Sequence, residues 1–289
     1  MTFSPLTLSH WIFLPVFLVQ VFVISYYFPS KIFQRMTHVL ETYPPSEYPK
    51  LYIKSADYCR LWHSVYFWLN RLIMLLGLAV AAAVILLDPG GEDGVSDAWP
   101  AIYGMVQFVP LILLDVIGFR TFRSMRSATS HRKAELRPRR LSSYLSMGWV
   151  VAAVGMLACA VTLDYFYYDF EDWITRTGTL VFSNLFMGCF GAWVLYGRKP
   201  DPHQSFADRS KQIRAQLMSM FGTSIAISFL FMSLSINNIL DADYLDAPFL
   251  SAYFTLLSVL GVGLLMRSMR LEDIDFEVYR ADDPATDAA

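Results

Sequence analysis

The stretch YFWLNRLIMLLGLAVAAAVILL, residues 66–87, runs from Leu72 to Leu87 without a single polar side chain. A helix on the surface of a soluble domain would show a polar face recurring every three to four residues, and none is present here. At about 1.5 Å per residue the stretch is long enough, as a helix, to cross a hydrocarbon layer about 30 Å thick. Six further stretches of similar length and character obey the same rule, at about 11–27, 99–119, 144–163, 174–196, 217–237 and 248–266. The whole composition agrees: of 289 residues, 55% are hydrophobic and only 17% charged. The mean hydropathy of +0.40 is too high for an ordinary soluble domain. The expected fold class is therefore all-α, a polytopic membrane helical bundle of about seven transmembrane helices, arranged as one helix followed by three hairpins.

Charges sort strongly between alternate connections. Arg120, Arg123, Arg126, Arg132, Lys133, Arg137, Arg139 and Arg140 follow the third span, and Arg198, Lys199, Arg209, Lys211 and Arg214 follow the fifth. By the positive-inside rule these connections face the cytoplasm. The intervening connections are acidic: DPGGEDGVSDA at 88–98, DYFYYDFEDW at 164–173 and LDADYLDAP at 240–248, with Arg176 the lone basic residue beside any of them. They belong outside, which puts the N-terminus outside and the C-terminus in the cytoplasm. The expected location is the plasma membrane, a bacterial inner membrane in particular. Lys31 and Arg35 follow the first span, and no small-residue cleavage site accompanies it, so it is expected to remain as an anchor.

Residues 1–270 form one transmembrane domain on this reading, and residues 271–289, LEDIDFEVYRADDPATDAA, an acidic cytoplasmic tail expected to be disordered. Between the first and second spans, residues 31–52 comprise an amphipathic segment, KIFQRMTHVLET, and a proline-rich connector, YPPSEYPKLY. The segment is either an extension of the first helix or an interfacial helix. Pro44, Pro45 and Pro49 then hold the connector extended, and a new helix starts near Ser55.

Two charges lie inside spans away from their ends, Arg71 and Asp115, and a charge at the centre of a membrane helix costs on the order of 3 kcal/mol. Both lie sixteen residues from the outer end of their spans, so they sit at one depth on consecutive antiparallel helices. An Arg71–Asp115 ion pair clamping the two helices is the expectation, with a proton or cation site at Asp115 as the sharper alternative. Gln107, Asn184, Ser224 and Ser228 are candidate polar lining for a small-solute path, or interhelical hydrogen bonds. Gly77 and Ala81 have the small-xxx-small spacing that lets helices approach closely.

Most familiar chemistries find no support. HExxH, GxSxG, a P-loop and CxxC are absent, and no His lies deep in a span. No catalytic residue, metal ligand or cofactor is expected, and no nucleic acid partner. The partners implied are membrane lipids, which the basic loop after the third span would meet, and a protein on the cytoplasmic face. The functional expectation is a scaffold, assembly or signalling subunit without a catalytic centre. A transporter or channel using Asp115 is the alternative, and an intramembrane lipid-modifying enzyme ranks third.

Overall fold

The computed structural model describes residues 7–52, 54–87, 94–128, 140–168, 176–197 and 201–281. Among these residues there are helices and no strands. Seven helices are long and apolar enough to span a membrane. They are α1 (Leu8–Thr42), α2 (Ala56–Leu87), α3 (Ala98–Ser127), α4 (Met147–Phe166), α5 (Thr177–Gly197), α6 (Phe206–Ile239) and α7 (Asp243–Arg267). The all-helical membrane bundle read from composition is the observed architecture. Residues 31–42 are a continuous extension of the first helix, so the interfacial alternative is not taken.

The bundle has two parts. Helices α1, α2, α3 and α7 form a closed ring in which α1 packs on α2 and α7, and α3 packs on the same two. Helix α6 lies between α4 and α5 and joins this second part to the ring through α7. Phe13, Phe17 and Val21 of α1 meet Ile73 and Val84 of α2 and Tyr103 of α3 in the buried centre of the ring. Outward faces carry large exposed apolar side chains, Leu72, Leu75 and Leu86 on α2 among them, as expected where lipid is the solvent.

Close approach within the ring depends on glycine. A Cβ on Gly77 would collide with the Tyr103 hydroxyl and come within 2.8 Å of Val21 Cγ2. One on Gly104 would lie 2.5 Å from the Phe254 ring of α7. Gly77→Ala is therefore expected to destabilise the protein by about 1–2 kcal/mol through overpacking. Unfolding in mixed micelles would check this, with Gly155→Ala, where a Cβ meets nothing within 4 Å, as the neutral comparison.

Among the described residues three helices contain a π-turn: Val23–Tyr27 in α1, Trp193–Gly197 in α5 and Val259–Gly263 in α7. All three lie toward the basic end of the bundle, where Arg120, Arg123, Arg140, Arg214 and Arg267 are found.

That end also carries a folded cap. The connector after α1 and residues 271–281 of the tail pack on each other around buried Tyr48, Phe276 and Tyr279, with Val39, Tyr43, Leu51 and Ile274 against them. Tyr43 and Phe276 stack with centroids 3.9 Å apart. Lys50 N donates to the Tyr279 carbonyl at 3.3 Å, and Ala281 N to the Glu47 carbonyl at 3.2 Å. Composition predicts a disordered tail, and the structure corrects this for its first part. That part is docked because Leu271, Ile274, Phe276, Val278 and Tyr279 give it an apolar content that its acidic residues conceal. Residues 282–289 lie outside the described residues.

Candidate functional site at the basic end

Arg71 and Asp115 do not meet. The Arg71 guanidinium turns toward α1, where it donates to Ser30 Oγ at 3.3 Å and lies over the Tyr26 ring at 4.1 Å, with the Phe67 ring of its own helix at 4.8 Å. Asp115 is exposed and faces the opposite quarter of the bundle, toward α5, α6 and α7. Equal depth placed the two residues at one level, but their helical phases point them to different neighbours.

The four candidate lining residues do not converge either. They belong to two separate buried knots. In the ring, Gln20 Nε2 donates to Gln107 Oε1 at 2.8 Å, Gln107 Nε2 donates to Ser25 Oγ at 2.9 Å, and Ser251 Oγ donates to Gln20 Oε1 at 2.6 Å. Ser25 and the Tyr103 hydroxyl lie 3.2 Å apart, and that hydroxyl donates to the Ile73 carbonyl at 3.1 Å. One knot thus ties α1, α2, α3 and α7. In the second part, Asn184 Oδ1 of α5 accepts from Ser224 and, at 3.4 Å, from Ser228 of α6. Satisfying these amides and hydroxyls inside lipid is the physical reason for their pairing.

A third polar group was not foreseen. At the acidic end Asp164, only 3% exposed, pairs with Arg176 Nε at 3.0 Å and accepts from Thr177. Arg176 also donates to Ser235 Oγ of α6 at 2.7 Å. The available signal was a single basic residue among acidic connections. Asp169, Glu171 and Asp172 lie outside the described residues.

Of the cavities at the basic end among the described residues, two are lined by α3. One, of about 550 Å³, is a crevice between α3, α5, α6 and α7. Ile112, Asp115, Val116, Phe119, Arg120 and Arg123 line it from α3, and their i, i+3/i+4 spacing makes them one helical face. Trp193, which opens the π-turn of α5, and Gly261, inside that of α7, line it as well, with Gln216 and Ser219 of α6. π-turns are rare and recur at functional sites.

The other, of about 350 Å³, lies under the cap, between Thr121 and Met125 of α3, Gln212 and Gln216 of α6, and Phe276 and Tyr279 of the tail. Ser205 caps α6, accepting from Asp208 N at 3.2 Å and donating to its carboxylate at 2.8 Å. The same carboxylate accepts from Asp275 N at 3.1 Å, and Tyr279 donates to Asp201 Oδ2 at 2.8 Å. Burial first, then the carboxylates of Asp201, Asp208 and Asp275, push the Tyr279 phenol above the usual tyrosine range. Burial likewise pushes Tyr52 up to about 12. Because the docked phenol ionises later than the free one, this contribution to docking is full below about pH 10 and is lost as pH rises above it. Proteolysis of the tail should accordingly be slow and constant up to about pH 10 and accelerate beyond.

Among the described residues no cluster of His, Cys, Asp and Glu is placed to hold a metal ion. Cys59, Cys159 and Cys189 are free thiols. No protein-family model, curated protein or solved structure matches this chain.

Proposed function

We propose that the protein is a non-catalytic membrane subunit of the plasma membrane, the bacterial inner membrane in particular, and that its basic end faces the cytoplasm as a platform for a protein partner. The observation that carries this reading is the folded cap. Ordering a connector and a tail costs about 1–2 kcal/mol per residue in backbone entropy. Here an aromatic core offsets that cost and holds Glu47, Glu272 and Asp275 exposed on its outside. An ordered acidic surface suits a partner with a basic one.

The transporter and enzyme readings have less behind them. Gln107, Asn184, Ser224 and Ser228 are engaged in helix-to-helix hydrogen bonds, and among the described residues no second acid and no histidine joins Asp115 in lining its crevice.

Photo-reactive side chains at Glu47 and Glu272, compared in native membranes with one at Leu240 on the opposite end, test the proposal. One discrete adduct is expected from the cap positions, lost when Phe276→Ala undocks the tail. Adducts equal at both ends, none at the cap, or solute flux through the purified protein in liposomes that Asp115→Asn abolishes, would overturn it.

A further inference from the structure

We infer that the crevice between α3, α5, α6 and α7 is a binding site for an anionic phospholipid of the basic-side leaflet. Its walls are apolar, yet Ile112, Val116, Phe119, Phe190, Trp193 and Leu265 are all exposed. A cavity lined by exposed apolar side chains opens sideways onto lipid, and its 550 Å³ lies within the range of small-molecule sites. Arg120 and Arg123 stand at the end of the crevice nearest the basic connection. Among the described residues neither guanidinium makes a hydrogen bond or an ion pair, so two cations stand at the membrane boundary beside an apolar slot. That is the layout of a lipid: acyl chain against the walls, phosphate on the arginines.

Asp115 supplies the lower limit. It lies about 7.5 Å deeper than Arg120 along the helix, at about 1.5 Å per residue. A carboxylate there repels a phosphate from below and holds it at the arginine level. Trp193 suits the same boundary, since indole rings favour the headgroup region. Because the platform proposed above lies on the cap, failure to find a partner leaves this inference standing, and failure to bind lipid leaves the platform untouched.

The test uses the full chain in an uncharged maltoside detergent. Native mass spectrometry reads the retention of dioleoyl phosphatidylglycerol against dioleoyl phosphatidylcholine offered at equal concentration. Each arginine near a membrane surface contributes about 1 kcal/mol toward an anionic headgroup, so a preference of about 30-fold is expected. R120Q/R123Q should bring it close to one, while R60Q/R280Q, which removes the same charge elsewhere, should leave it intact. Ser219→Leu, which fills the slot without changing charge, should reduce retention of both lipids, and Asp115→Asn should raise the anionic preference about fivefold. Equal retention of the two lipids by the unaltered protein overturns the inference. So does a preference unchanged in R120Q/R123Q, or displacement of the lipid by inorganic phosphate, which would assign the site to a soluble anion.

Discussion

Replacing Arg176 with Met is expected to lower the unfolding free energy by about 3 kcal/mol, the largest loss of any single substitution considered. Removing one partner of a buried ion pair costs about 3–5 kcal/mol because the other is left as an uncompensated buried charge. Asp164 is that charge, with its side chain 4% accessible, whereas Arg176 keeps 25% and part of its solvation, which puts the loss at the lower end of the range. Arg176→Met also leaves the Ser235 hydroxyl without its donor. The double variant D164L/R176M should recover most of the loss, since an apolar pair needs no solvation. Unfolding in mixed micelles measures both. A single variant as stable as the unaltered protein would mean that water reaches Asp164 and that the pair does not tie α4 to α5 and α6.

Gln20→Leu should come next at about 2 kcal/mol. Gln20 is fully buried and serves two partners, donating to Gln107 and accepting from Ser251. Loss of its amide strands both, at about 1–3 kcal/mol for a buried group left unsatisfied. Interhelical hydrogen bonds in membranes average about 0.6 kcal/mol by double-mutant cycles, which pulls the total down. The diagnostic is coupling: Gln20→Leu and Gln107→Leu should together cost less than the sum of the two, because each already breaks the shared bond. Strict additivity would show that the knot is not cooperative and that each amide is satisfied separately.

Much of the architecture was legible because lipid imposes a length. Runs such as 72–87 have one physical solution in a bilayer, and all seven spans carry a long helix. The start of α2 at Ala56 was set by the prolines of the connector. Pairing was not legible, for a definite reason: counting residues gives depth along a helix, while contact also needs the direction around it. Arg71 and Asp115 share a depth and face different helices. Gln107 and Asn184 share a polarity, but α3 closes a ring with α1, α2 and α7 while α5 packs on α6, so each amide finds its partners within its own part. The docked tail was hidden by composition, since Glu272, Asp273, Asp275, Glu277 and Arg280 cancel, in any average, the apolar side chains interleaved with them that do the packing.

The π-turns at Val23–Tyr27 and Val259–Gly263 divide α1 and α7 into two storeys, and the one at Trp193–Gly197 closes the described part of α5. Each turn absorbs one residue more than an α-helical turn, so the sequence pattern beyond it runs one position, about 100°, out of step with the pattern before it. The hydrophobic stripe above such a turn therefore continues below it one residue out of step. In α1 and α7 the segments on either side of the turn keep their packing faces although the sequence between them carries one extra residue. Deleting a single residue within such a turn, Gly261 for example, would close it to an α-helical turn and leave the chain entering the cap on its present course, whereas the same deletion in the unbroken stretch 72–87 would turn everything beyond it by about 100°.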